Sequence, residues 1–263
     1  MNGWLLVDKP SGISSHDVVQ RARGIIPGCR IGHTGTLDPL ATGLLVLGIG
    51  NTTRLSEYLI SQSKQYTAVV RLGATTTTFD AEGDIMSEKD VRIGAAAIES
   101  ILPTFIGCIE QVPPIYSAIK IGGERAYKLA RSGKTVKMSP RSVRIDKLAI
   151  VDYCSPDITL EISCSSGTYV RSLAHDLGQS IGCGAHLLCL RRDVVGPFRL
   201  HQSYQLEDLE QTNDSCEVSS LLLPSGDAMV GWQKVCLGAD DVRKIRHGNS
   251  VIGSDCVSET LAL

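Results

Sequence analysis

The densest run of chemically useful residues is Gly32-His33-Thr34-Gly35-Thr36-Leu37-Asp38-Pro39-Leu40-Ala41-Thr42-Gly43. Its glycines let backbone approach a ligand closely, and Pro39 stiffens the chain directly after Asp38. A carboxylate held this way can act as a nucleophile, as a general base, or as a plain Asx-type turn residue. Neither a Walker nor a dinucleotide-type glycine pattern is present, so the run lacks the signatures of a phosphate cradle. A second cluster, Cys183, His186 and Cys189, repeats metal-capable side chains every third residue. Structural zinc takes four ligands from paired knuckles, and no second knuckle lies nearby, so no metal is expected.

These residues need elements to hold them. The apolar run 3–7 closes in the turn cluster Asp8-Lys9-Pro10-Ser11-Gly12. Ser14 or Ser15 then caps a helix to about Ile26, with Val18, Val19, Ala22 and Ile26 on one face. Residues 31–43 are too rich in Gly, Thr and Pro for regular structure, whereas 44–50 reads as a buried strand. A helix from Asn51 or Thr52 to about Ile60 precedes a strand over 65–73 and a loop over 75–84. A further helix spans Asp90 to Leu102. Strands 143–153 and 158–165 pair around Ser155-Pro156-Asp157, and Thr168 caps a helix from Tyr169 to Ile181 that Gly182 ends. Irregular alternation without βαβ units predicts an α+β fold with a mixed or antiparallel sheet.

Composition narrows the setting. The 263 residues are 43% hydrophobic and 21% charged, which excludes wholesale disorder and disulfide scaffolds. Nine cysteines without a CxxC pair read as reduced thiols. No leader-like N-terminus and no spanning apolar stretch is visible, so a soluble cytoplasmic protein is expected. The net charge of -2 argues against a uniformly basic surface, yet it is an average. Between Lys120 and Lys147 lie nine basic and two acidic residues, whereas 201–233 holds six acids and no Lys or Arg. The basic run suits either a solvated face or a mobile arm that lies along phosphates.

GHTGTLDPLATGLLVL (32–47) resembles the catalytic-aspartate motif of the TruB family of tRNA pseudouridine synthases, the bacterial stand-alone enzymes of uridine 55. LLVDKPSGISSHDVV (5–19), KQYTAVVRLGATTTTFDAEG (64–83), QVPPIYSAIKIGGERAYKLARSGK (111–134), SCSSGTYVRSLAHDLG (163–178) and LLCLRRDVVGPF (187–198) continue the resemblance in family order. It implies a pseudouridine synthase fold, a central mixed sheet flanked by helices. It implies cleavage of the N-glycosidic bond of one uridine and rejoining of the base through carbon 5, with no cofactor or metal. Asp38 would be the essential carboxylate, Tyr66 the tyrosine stacked on the target base, and Arg171 the partner of the aspartate. His33 and Tyr169 would contact the flipped-out nucleotide, and Lys9, Lys64, Lys128 and Arg131 would serve substrate binding.

The resemblance implies a catalytic domain over 1–230, with 107–142 as a thumb-like RNA-binding insertion, and a short, incomplete PUA-like segment over 231–263. The partner would be the T-arm stem-loop of tRNA, bound by a monomer without any membrane. Two alternatives stay open from the sequence: an RNA-folding protein that does not depend on catalysis, and a guide-RNA-dependent synthase acting on ribosomal RNA. The role of Asp80 is unassigned.

Overall fold

The computed structural model describes residues 1–133, 136–212, 215–233, 235–251 and 254–255. The chain divides into two units, Met1–Ser225 and Gly226–Leu263. Ten strands form one sheet in the first unit: β1 (Gly3–Lys9), β2 (Ile31–His33), β3 (Thr42–Ile49), β4 (Lys64–Leu72), β5 (Gly107–Gln111), β6 (Arg141–Cys154), β7 (Asp157–Cys164), β8 (Ala185–Val195), β9 (Phe198–Arg199) and β10 (Tyr204–Gln205). Their order is β10-β1-β3-β8-β4-β7-β6-β5, with β2 beside β3 and β9 beside β8. The β1–β10 and β3–β8 pairs are parallel and the others antiparallel, so the sheet is mixed.

Burial explains the strand sequences. Leu44 to Ile49 are buried on both faces of β3, as a continuous apolar run requires. In β4 and β7 burial alternates, with Tyr66, Ala68 and Val70 pairing across to Ile162, Leu160 and Ile158 on the same inward face. The β3–β8 contact is much narrower than its neighbours. It consists of Thr42 opposite Arg191 and Gly43 opposite Arg192, whereas β8 pairs with β4 along most of its length.

Two helices pack against this sheet near its centre. Helix α1 (Ser15–Ile25) opens with a capping box: Ser14 Oγ accepts from Asp17 N at 3.2 Å and Asp17 accepts from Ser14 N at 2.8 Å. It buries Val18, Val19 and Ala22. Helix α2 (Val170–Ile181) ends at Gly182, which takes the left-handed conformation at φ 92°. Gly178 lets it lie directly on β8, where a Cβ would collide with the backbone of Gly184 and Ala185.

Several expectations are corrected. Residues 31–33, expected to be irregular, form β2, because a short exposed-looking stretch gains order by pairing with β3. The helix expected from residue 51 starts as a 3-10 turn over Gly50–Leu55 and is α-helical only over Ser56–Ile60. The helix expected from Asp90 spans only Ala95–Ile101. Ala74–Thr76 pairs with Ile85–Glu88, so the 75–84 stretch is a hairpin rather than open loop. Thr168 does not cap α2: its hydroxyl donates to Ser165 O at 3.0 Å, and Tyr169 is the cap residue. Cys236 is disulfide-bonded, which corrects the all-reduced expectation drawn from cysteine count and spacing.

In the second unit, Val235–Cys236 pairs antiparallel with Ser254–Asp255, and a helix spans Ala239–Arg246. The rest of the expected PUA-like segment, 234, 252–253 and 256–263, lies outside the described residues. Among the described residues no helix is long and apolar enough to cross a membrane.

Candidate active site

A cavity of about 430 Å³ opens over the β3–β8 junction. The 33–38 loop forms one wall, Lys64 and Tyr66 of β4 with Leu190 and Arg192 of β8 line the floor, and residues 165–171 with Ser117 and Ala118 close the far side.

The first wall is fixed by buried polar contacts. Ser15 Oγ donates to Leu37 O at 2.9 Å and faces Leu37 N at 2.8 Å. Gly12 N donates to Pro39 O at 2.8 Å. The fully buried Lys9 ammonium donates to the carbonyls of Pro10 (2.8 Å), Ile13 (2.7 Å) and Pro39 (3.3 Å). Asp38 therefore sits between two residues pinned from behind. Burial lowers the Lys9 pKa to about 8, against the opposing pull of Asp38. Lys9 is thus a tie beneath the loop and is not among the residues that line the cavity, a structural place its position in the N-terminal motif also allows.

Arg171 projects from the first turn of α2, almost fully buried, and meets Asp38 with Nε 3.0 Å from Oδ2. Its other nitrogens are also engaged. Nη1 lies 3.2 Å from Asp80 Oδ2 and donates to Thr78 O at 3.2 Å, while Nη2 donates to Tyr116 O at 3.0 Å. Asp80 is itself buried and accepts from Thr78 Oγ1 and from Glu82 N at 3.1 Å. The pocket walls desolvate Asp38 and push its carboxyl above the usual range; Arg171 pulls it back and Asp80 adds to the rise. The result is a carboxylate whose ionised form is favoured first by one well-held guanidinium and then by the Lys9 charge.

The floor has its own buried cation. Arg192 donates from Nε to Leu44 O at 2.8 Å and from Nη2 to Gly35 O at 3.0 Å, and its charge acts on the neighbouring Tyr66 phenol. Burial raises the Tyr66 phenol and Arg192 opposes that. Tyr66 is thereby held on the cavity floor as a neutral aromatic. Lys64, also on the floor, donates its ammonium to the carbonyls of Leu59, Ile60 and Gln62, and burial brings its pKa down to about 8.

His33 stands in the wall at the end of β2. Its Nδ1 is buried and has no hydrogen-bond partner among the described residues. Burial first, then the Arg192 charge, lowers its pKa, so the ring is a neutral imidazole with an open valence. Tyr169 borders the far side, its backbone N and O both engaged by the side chain of Gln111 at 2.8 and 3.0 Å. The structure thus brings together Asp38, Arg171, Tyr66, His33, Tyr169 and Lys64. Lys128 is exposed on the short helix Ala126–Arg131 and does not line the cavity, and Arg131 ends that helix; Lys134 lies outside the described residues.

Sequence reasoning named Asp80 without giving it a role and missed Arg192 and Gln111. Arg192 had a signal: of two adjacent arginines in a strand, one must face inward. Gln111 had none, because its partner Tyr169 is remote in sequence, and the remoteness of Arg171 hid the role of Asp80. At the Cys183–His186–Cys189 cluster, His186 Nδ1 pairs with Ala74 O at 3.0 Å, and no metal-holding group of acids, His and Cys occurs among the described residues.

A cleft seated on a mixed sheet, with a carboxylate on one wall met by a buried arginine from the other, sits within a fold shared with solved structures. The chain superposes on the crystal structure of a Cbf5-Nop10-Gar1 complex with a TM-score of 0.73 and 27% identity, covering 94% of this chain and 67% of that one. It therefore has the pseudouridine synthase fold. Residues 23–170 match the TruB family pseudouridylate synthase N-terminal domain, and 171–230 match the tRNA pseudouridylate synthase B C-terminal domain. The tRNA pseudouridine synthase B of Pseudomonas aeruginosa is 45% identical over 254 residues, covering 95% of this chain and 84% of that protein. That of Burkholderia mallei is 44% identical over 248 residues, covering 94% and 82%. The chain belongs to the TruB family of pseudouridylate synthases.

Proposed function

We propose that the protein isomerises uridine 55 in the T loop of tRNA to pseudouridine, with Asp38 as the reacting carboxylate. The observation that carries this reading is Asp38 itself, locked between Leu37 and Pro39 and faced by the buried Arg171 in a nucleoside-sized cavity. A uridine must leave its stack to reach that depth, which costs a few kcal/mol. The Tyr66 face returns part of this, at about 1–3 kcal/mol per stacked base. Cleavage of the N-glycosidic bond and rejoining through carbon 5 is neutral in electrons. Whether Asp38 acts as nucleophile or as base at the ribose, it must be ionised and aimed, and Arg171 supplies both conditions. His33 and Tyr169 contact the displaced nucleotide.

The proposal extends to organisation. Residues 1–230 form the catalytic domain, and 107–142, with its basic residues Lys128 and Arg131, is a thumb that lies over the RNA stem-loop. The segment 231–263 is a short PUA-like addition. The test is to incubate unmodified T-arm stem-loop RNA with wild-type protein and with Asp38→Asn, and to map pseudouridine by chemical derivatisation. Product from wild type alone supports the reading. Product from both, or from neither while RNA binding is intact, overturns it.

A further inference from the structure

The loop that supplies Thr78 and Asp80 to Arg171 turns on a residue of unusual conformation. Among the described residues Phe79 is the only non-glycine with a positive φ, 64°. A bulky aromatic in the left-handed region is a genuine outlier and persists only where its surroundings over-determine it. Here they do so from two sides. Leu187 N donates to Phe79 O at 3.0 Å and Ala81 N donates to Leu187 O at 2.9 Å, which staples the turn to β8. On the other side the Phe79 ring stacks on His175, with centroids 3.9 Å apart and planes 16° from parallel.

His175 lies four residues after Arg171 on α2, so both project from the same helical face. That face grips three successive loop residues: Arg171 takes Thr78 O and Asp80 Oδ2, and His175 takes the ring between them. The left-handed turn at Phe79 is what allows a carbonyl and a carboxylate on either side of it to converge on one guanidinium. His175 enters no hydrogen bond through Nδ1, which is buried without a partner among the described residues, so it is present as a ring. Burial lowers its pKa, which keeps that ring uncharged against the phenyl face.

We infer that the Phe79–His175 stack is a positioning device for the catalytic ion pair: it holds the strained 78–80 turn against α2 and thereby fixes Arg171 toward Asp38. Phe79 and His175 are positioning residues and touch neither base nor ribose. This rests on the assignment of Asp38 and Arg171 proposed above.

The experiment measures kcat and KM on T-arm stem-loop RNA, and the pH profile of kcat, for Phe79→Ala, His175→Leu, His175→Phe and Asp38→Asn. Rates are normalised to the folded fraction. The charged groups around Asp38 are Arg171 on α2, Asp80 and Glu82 in the hairpin and Lys9 on β1, none of which is altered in the stack variants. Expected are a loss of about tenfold or more in kcat for Phe79→Ala and His175→Leu with KM little changed, and an acid limb moved to higher pH. His175→Phe, which keeps the stack, should restore both. Wild-type kcat and acid limb in Phe79→Ala and His175→Leu, beside an inactive Asp38→Asn, would overturn the stack's role alone. Failure of His175→Phe to rescue would also overturn it. An active Asp38→Asn would overturn the site assignment instead. If Phe79→Ala does not fold, the His175 pair decides.

Discussion

At the residue scale the site is a balance around Asp38. Its carboxyl is raised because the cavity desolvates it, and raised further by Asp80; only Arg171 strongly favours the ionised form. Activity should therefore fall as pH drops through a midpoint above the ordinary carboxylate value of about 4, measured as kcat/KM on stem-loop RNA. The same shift has a consequence for folding. A folded pKa above the unfolded one contributes stability that is present below the unfolded pKa and lost as pH rises through the folded pKa. At neutral pH Asp38 is thus a liability, and Asp38→Asn should unfold at a temperature no lower than wild type. Asp80→Asn should also impair function: Arg171 loses an anchor, and kcat should drop about tenfold to a hundredfold with RNA affinity intact. Asp38 was legible in the sequence because glycines and a proline crowd it. Asp80 sits in a threonine run whose geometry, set by Phe79 and Leu187, no local pattern announces.

At the element scale, two contacts set where the walls stand. Lys9 closes three carbonyls before the start of α1 and at the end of the Asp38 loop, so Lys9→Met leaves buried acceptors unpaired at about 1–3 kcal/mol each. Thermal unfolding should shift down by several degrees and activity should fall with it. Gly178→Ala would drive a methyl into the backbone of Gly184 and Ala185, pushing α2 off β8. Overpacking of this kind costs about 1–3 kcal/mol, and circular dichroism melts together with kcat should register both lost stability and a displaced Arg171. Helix α1 was legible down to its cap because Ser14 and Asp17 satisfy each other within one turn. The start of α2 was not. Its first backbone groups are met by Gln111, 58 residues away, and the nearby Thr168 hydroxyl turns elsewhere. Likewise β2 exists because β3 offers it a ladder, which composition cannot reveal.

At the scale of the molecule, the mixed sheet was foreseeable from irregular alternation of elements, but its order was not, since that depends on pairings between distant strands. Net charge misleads for a related reason, because the basic 120–147 stretch and the acidic 201–233 stretch cancel. Replacing Lys128, Arg131 and Lys134 by Ala should weaken stem-loop binding and flatten its salt dependence by up to about three phosphate contacts' worth of slope, read from affinities across a potassium chloride series. An unchanged slope would return that run to an ordinary solvated surface. The short β3–β8 join has a further effect. Only two residue pairs connect these strands, and Asp38 stands on one side of that seam while Arg171 and Asp80 stand on the other. Arg192 crosses it as well, reaching Leu44 and Gly35. The Asp38–Arg171 contact proposed as catalytic is therefore also a rivet across this seam, and slow breathing there would separate the pair before any strand unravels. Amide exchange near Thr42 and Gly43 would then report how much of the population is chemically ready at a given moment.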